Sequence, residues 1–100
     1  MSKQTKLTKA ARGRDCQVRI PGVCNGNHET TVLAHYRMAG TCGVGCKPND
    51  LQGAWACSAC HDAIDGRVRI AADRDILRLW HLEGVMRTQY ILIREGKVAA

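Results

Sequence analysis

The sequence predicts a small α+β domain in which a half stapled through its cysteines packs on a C-terminal helical segment. Three observations predict it. Six cysteines occur in 100 residues, and four of them fall in the order C-x7-C-x32-C-x2-C. Short runs of alternating apolar residues, bounded by Pro-Gly and Asn-Gly turns, occupy the first third. Apolar residues then recur every three or four positions through the last third.

One hundred residues make a single domain whose apolar core alone leaves it marginally stable. Aromatic residues are 4% of the chain and Phe is absent, so large core side chains are scarce and a staple is expected. Met1 to Arg14 is polar and basic, with no apolar run resembling a signal peptide. No stretch approaches the roughly 20 apolar residues that a membrane span needs. A cytoplasmic location is therefore expected, where thiols stay reduced and bind metal more often than they pair. Fifteen Lys and Arg against nine Asp and Glu give a net charge of +6, which suits a polyanionic partner, above all nucleic acid.

Residues 1–14 carry Lys3, Lys6, Lys9, Arg12 and Arg14 with little apolar content beyond Leu7. The lysine spacing places all three on one helical face, where they can lie along phosphates. This stretch is expected as a basic, flexible tail with at most a short helix, ahead of one domain over residues 15–100. Cys16, Val18 and Ile20 alternate with polar residues, as in a short strand. Pro21-Gly22 turns the chain, and Cys24 precedes a second turn at Asn25-Gly26, so a hairpin-like loop brings Cys16 to face Cys24. The tight Cys57-x-x-Cys60 turn holds both sulfurs about 2.3 Å from a common point. The four together close a tetrahedral site for a structural Zn²⁺.

Thr30 to Arg37 reads as a second strand, with Val32 and Ala34 on one side and Leu33 and His35 on the other. Residues 38–50 form a glycine-rich loop whose Cys42 and Cys46 are bystanders or alternative zinc ligands. Leu51 to Ala56 is apolar, with Trp55 as a packing anchor, and the run from Asp62 to Asp65 continues a helix that Gly66 ends. Arg67 to Ile70 alternates as a brief extended segment. Asp73 is the N-cap of a long helix whose stripe of Ile76, Leu79, Leu82, Met86, Tyr90 and Ile93 is expected to pack on the cysteine half. Gly84 inside that run costs about 1 kcal/mol relative to Ala and marks a kink or break. His81 reads as a partly exposed helix residue. Tyr90 to Ile93 are also strand-like, which leaves the C-terminal boundary open.

The strand ending near His35, the loop with Asn49 and Asp50, and Cys57-Ser58-Ala59-Cys60-His61 opening a helix resemble the HNH nucleases over roughly Cys16 to Ile64. The whole chain, with Cys16-Gln17-Val18-Arg19-Ile20-Pro21-Gly22-Val23-Cys24 and Ala56-Cys57-Ser58-Ala59-Cys60-His61-Asp62, is similar to a family of small prophage proteins described as candidate nucleases. The resemblance implies a ββα-metal unit, a hairpin followed by a helix around one divalent ion, stapled by zinc. It implies His35 as general base and His61 as a ligand of a catalytic Mg²⁺ or Mn²⁺. An imidazole, with an ordinary pKa of about 6.5, can take a proton from water near neutral pH. Asn49 or Asp50 stands where the motif has its middle residue. Asp50 would be a second ligand through oxygen, whereas Asn49 would hold the hairpin in place for His35.

Many HNH enzymes have a further ligand directly before the base, where this chain has Ala34. The ion would then rely on His61, one carboxylate (Asp50, or Asp62) and water, a sparse shell that Mg²⁺ tolerates. Arg37 is placed to meet a neighbouring phosphate, and Lys9, Arg12 and Arg14 to follow the DNA backbone. The expected function is metal-dependent hydrolysis of DNA phosphodiester bonds in phage or prophage DNA metabolism, with His35 and His61 within about 8 Å of each other on one cleft. The other reading is a non-catalytic zinc module that binds nucleic acid, with both histidines structural. A thiol redox reading of Cys57-Ser58-Ala59-Cys60 needs a βαβ pattern, and none precedes Cys57.

Overall fold

The computed structural model describes residues 6–38 and 49–99. In chain order these form α1 (Lys6–Ala10), β1 (Val32–His35), β2 (Gly53–Ala56), α2 (Ser58–Ile64) and α3 (Arg74–Arg94), with 3₁₀ turns at His28–Thr30 and Asp50–Gln52. β1 and β2 pair antiparallel, with Leu33 opposite Trp55, Ala34 opposite Ala54 and His35 opposite Gly53. Two four-residue strands are marginal by themselves. The outer edge of β2 is therefore completed by other segments. Gln17 N–H donates to the Trp55 carbonyl at 2.7 Å, and Trp55 N–H donates to Thr88 Oγ1 of α3 at 3.0 Å.

Strand alternation separates two cores. On one side Ala34, Ala54 and Ala56 meet Cys16, Val18, Ile20, Cys57, Cys60, Ala63 and Val85. On the other, Leu33 and Trp55 meet Ala11 and Leu92, with Leu7 and Ala10 of α1 packed against them. The alanines on the first side let α2, α3 and the 15–24 loop approach the sheet closely. Residues 6–14 of the expected basic tail are thus part of the domain. Ala11 is fully buried, and Arg14 stacks over the Trp55 ring at 4.7 Å while pairing with Glu95 at 2.7 Å.

The segment from Cys16 to Ile20 is a turn-rich loop rather than a strand. Its backbone groups bond to sulfur and to α3: Arg19 N–H donates to Cys16 Sγ, and both Arg87 Nε and Nη2 donate to the Gln17 carbonyl. Arg19 has φ 55, a left-handed value incompatible with a regular strand. The second strand is shorter than the Thr30–Arg37 run, because Thr30 lies in the preceding 3₁₀ turn and its hydroxyl accepts from Ser58 N–H at 3.0 Å. Residues 67–70 form bends and irregular chain rather than an extended segment. Cys42 and Cys46 lie outside the described residues.

Asp73 caps α3 as its sequence predicts, accepting from Ile76 N–H at 2.9 Å, and the helix runs through Tyr90–Ile93 without a break. Gly84 is a point of close approach. A Cβ there would stand 3.0 Å from Val18 Cγ2 and 3.1 Å from Ala54 Cβ. The buried residues of α3 are His81, Gly84, Val85, Thr88 and Leu92, whereas the expected stripe of Ile76, Leu79, Leu82, Met86, Tyr90 and Ile93 is exposed. His81 is buried rather than partly exposed. The helix is apolar on both faces, and the face with small residues wins the sheet because it packs more closely. Among the described residues, no helix is long and apolar enough to cross a membrane.

Candidate functional site

The four cysteines Cys16, Cys24, Cys57 and Cys60 converge as the spacing predicts, their sulfurs all within 4.8 Å of one another. Cys57 Sγ lies 3.8 Å from Cys24 Sγ, the edge of a tetrahedron whose corners stand about 2.3 Å from its centre. Cys57 is also the N-cap of α2, accepting from Cys60 N–H, and Cys16 accepts from Arg19 N–H in the same manner. Backbone donors aimed at sulfur stabilise thiolates. Cys16 is pulled down to about 4, chiefly by its hydrogen bond with Cys60. The same contact, aided by burial, pushes Cys60 up, and burial first of all raises Cys24. A readily ionised sulfur surrounded by three others is a cluster a cation can complete. Four cysteines are positioned to hold a metal ion, and the tetrahedral donor set fits zinc.

One helical turn further along α2, the chemistry changes from sulfur to imidazole and carboxylate. His61 Nε2 lies 3.1 Å from Asp65 Oδ2, four residues on along the chain. His35, at the end of β1, has Nε2 2.7 Å from Asp50 Oδ1, with both side chains 16% exposed. A carboxylate only accepts, so Nε2 of His35 carries the hydrogen, and in the neutral ring Nδ1 then has the lone pair. Thr8 Oγ1 of α1 donates to the other Asp50 oxygen at 3.5 Å. Asn49 caps the 3₁₀ turn that presents Asp50, accepting from Leu51 N–H and closing a capping box with Gln52. Asn49 therefore positions the turn, and Asp50 is the residue that reaches His35.

A cavity of about 750 Å³ opens beside these groups. His35 and Asp65 line it together with Arg37, Arg69, Arg74 and Arg78. His81 forms part of the wall, its Nε2 donating to the Ala34 carbonyl at 2.8 Å and its ring edge against Tyr36 at 5.1 Å. Arg78 sits over the Tyr36 ring, 4.8 Å from its centre. Burial pushes the His81 pKa below its ordinary value, with His61 and Arg78 adding to that and Asp65 opposing it. The neutral ring thereby fixes the backbone directly before His35.

The structure thus couples His35 with Asp50 and His61 with Asp65, and brings His35 and Asp65 to one cavity. Asp62, the other candidate carboxylate, faces Arg67 at 3.4 Å. Among the described residues, the four cysteines are the one cluster of three or more ligating side chains. Asp65 was legible as a partner, because His61 and Asp65 are four apart on one helical face. Tyr36, Arg69, Arg74, Arg78 and His81 carried no such local signal. Arg37 lines the cavity, and Lys9 on α1 and Arg12 just after it are exposed. Arg14 is committed to Glu95, which raises the Arg14 pKa and lowers that of Glu95.

Comparison with known proteins gives a consistent picture. A family model described as "Putative nuclease YbcO" matches residues 5–97. Two proteins carrying that name, from Escherichia coli and from Enterobacteria phage 82, are each 58% identical over 94 residues, covering 94% of this chain and 97% of their own. A solved structure described as a "putative bacteriophage protein" from Escherichia coli has a TM-score of 0.76 at 53% identity, covering 90% of this chain and 99% of that one. Matched by the family model from residue 5 to residue 97, the chain belongs to the family of the putative nuclease YbcO.

Proposed function

We propose that this protein is a metal-dependent DNA endonuclease of HNH type that hydrolyses phosphodiester bonds in phage or prophage DNA. The observation that carries the reading is the His35–Asp50 pair at 2.7 Å on the wall of an arginine-lined cavity that also holds Asp65. Asp50 fixes the tautomer of His35, so that Nδ1 can accept a proton from water as the hydroxide attacks phosphorus. Arg37, Arg69, Arg74 and Arg78 bind phosphate oxygens on either side of the scissile bond. His61 and Asp65 are the side chains that would hold a Mg²⁺ or Mn²⁺, replacing Asp50 as the carboxylate expected beside His61. When bound, such an ion supplies charge neutralisation for the phosphate and the leaving oxygen. Zinc at Cys16, Cys24, Cys57 and Cys60 has a structural part only, since four sulfurs fill a tetrahedral shell and leave no open position.

Plasmid nicking with Mg²⁺ or Mn²⁺ tests the reading. His35→Ala is expected to lose at least about 100-fold in rate with DNA binding retained. Asp65→Ala and His61→Ala should raise the concentration of divalent ion needed, whereas His35→Ala should not. A wild-type protein that binds DNA and cuts none, with any of these ions, would leave a zinc-stabilised DNA-binding module in place of the nuclease.

A further inference from the structure

The exposed face of α3 has no part in the cleft and is strongly apolar. Ile76, Leu79, Leu82, Met86, Tyr90 and Ile93 lie on it, from 38% exposed at Ile76 to 63% at Met86. Together they form one continuous apolar strip along the length of α3. Scattered apolar side chains are ordinary on a surface, whereas a contiguous apolar strip of this kind is often an interaction site. Beside Met86 and Tyr90 lies an apolar dimple of about 330 Å³, also lined by Gln17, Arg87 and Ile91.

The order of these residues specifies the occupant. Ile76, Leu79, Tyr90 and Ile93 of the stripe are placed symmetrically about the middle of the helix, and Met86 falls opposite the position of Glu83. A two-fold axis across the middle of the helix therefore sets Ile76 against Ile93, Leu79 against Tyr90, and Glu83 against Met86 of a second copy. This arrangement also brings Leu82 of the second copy to the dimple beside Met86. Charge selects antiparallel over parallel pairing. Asp75 at one end of the stripe meets Arg94 at the other, and the Glu83–Arg87 pairs (3.8 Å within one chain) meet head to tail near the axis. Parallel pairing would set like charges and like helix dipoles side by side.

We propose that α3 is the interface of a two-fold symmetric homodimer, with the two helices antiparallel through this stripe. Arg74 and Arg78, which line the cleft, face away from it, so each protomer keeps its cavity open. The inference does not rest on the nuclease reading.

Sedimentation over a range of concentrations, with zinc content and circular dichroism as folding controls, tests it. The wild-type chain is expected to be a dimer at micromolar concentration, and Leu79→Glu or Met86→Glu a folded monomer. Asp75→Arg and Arg94→Asp should each raise the dissociation constant at least about 10-fold, and the two combined should return it to within about threefold of wild type. That rescue follows only if each residue meets the other across the axis. A wild-type monomer up to about 1 mM, a dimer indifferent to Leu79→Glu, or single reversals that do not rescue each other would overturn the proposal.

Discussion

The cysteine cluster and the histidine cleft are built on successive turns of α2, yet they are completed in different ways. In the cluster, four sulfurs crowd within 4.8 Å, and three of the four cysteines are buried. The sulfurs face one another, with backbone N–H donors from Arg19 and Cys60 as their other polar neighbours, and a cation at their centre would complete them. In the cleft, each imidazole already has a carboxylate, and Asp65 also meets Arg67 at 3.5 Å. The polar groups there are partnered within the chain, facing a cavity lined by arginines. The difference separates folding from function. A metal at the first site is part of the folding free energy, whereas the second can be occupied or empty in a folded protein.

The largest expected effect breaks the first site. Stripping metal, or Cys60→Ser, should unfold the half built on the Cys16–Cys24 loop and α2, because structural zinc supplies on the order of 10 kcal/mol. Thermal melting alongside elemental analysis checks this. In the same assay Asp65→Ala should stay within about 1 kcal/mol of wild type. The opposite pattern would reverse the comparison.

Next in size is the orienting carboxylate of the cleft. Asp50→Asn removes the negative charge that holds His35 while leaving an amide oxygen to accept, and on the nuclease reading should slow cleavage by about 10- to 100-fold without loss of zinc. His35→Ala should cost more. Equal losses would mean that Asp50 touches the reaction directly.

Gly84→Ala probes the packing that supports both regions. A methyl group there meets Val18 and Ala54 at 3.0 and 3.1 Å, and such overpacking costs about 1–3 kcal/mol. Denaturant unfolding would register it, and an unchanged midpoint would show that the 15–24 loop yields freely.

A smaller effect is the pH dependence set by His81. Its folded pKa is held below the ordinary value by burial, so the unfolded chain binds the additional proton. Stability therefore rises with pH up to about 6.5, the unfolded value, and falls as pH drops below it. His81→Gln, which keeps a donor for Ala34, should flatten that slope in unfolding curves taken at about pH 5 and pH 8.

The smallest effects concern the basic surface. Lys9→Ala and Arg12→Ala should each reduce the slope of log affinity for DNA against log salt by about 1. Arg14→Ala should leave that slope alone and lower the melting temperature instead, since its guanidinium is held by Glu95 and Trp55. A changed slope for Arg14→Ala would show that DNA competes with Glu95 for it.

The sequence by itself determined the features that depend on local spacing. The C-x-x-C turn, the loop returning Cys24 to Cys16, the Asp73 cap and the helix beyond it were all legible, because each is a relation among residues a few positions apart. Family resemblance singled out His35 and Asp50, but their pairing was not legible, because they stand 15 positions apart and the fold decides whether they meet. Burial of α3 was decided by tertiary structure alone. Both faces are apolar, so hydropathy could not choose between them. Gly84, Val85 and Thr88 fit against β2 and the Gln17 backbone at distances that leucine or methionine would not allow. Close packing rewards the surfaces that approach nearest, and only the assembled fold shows which those are.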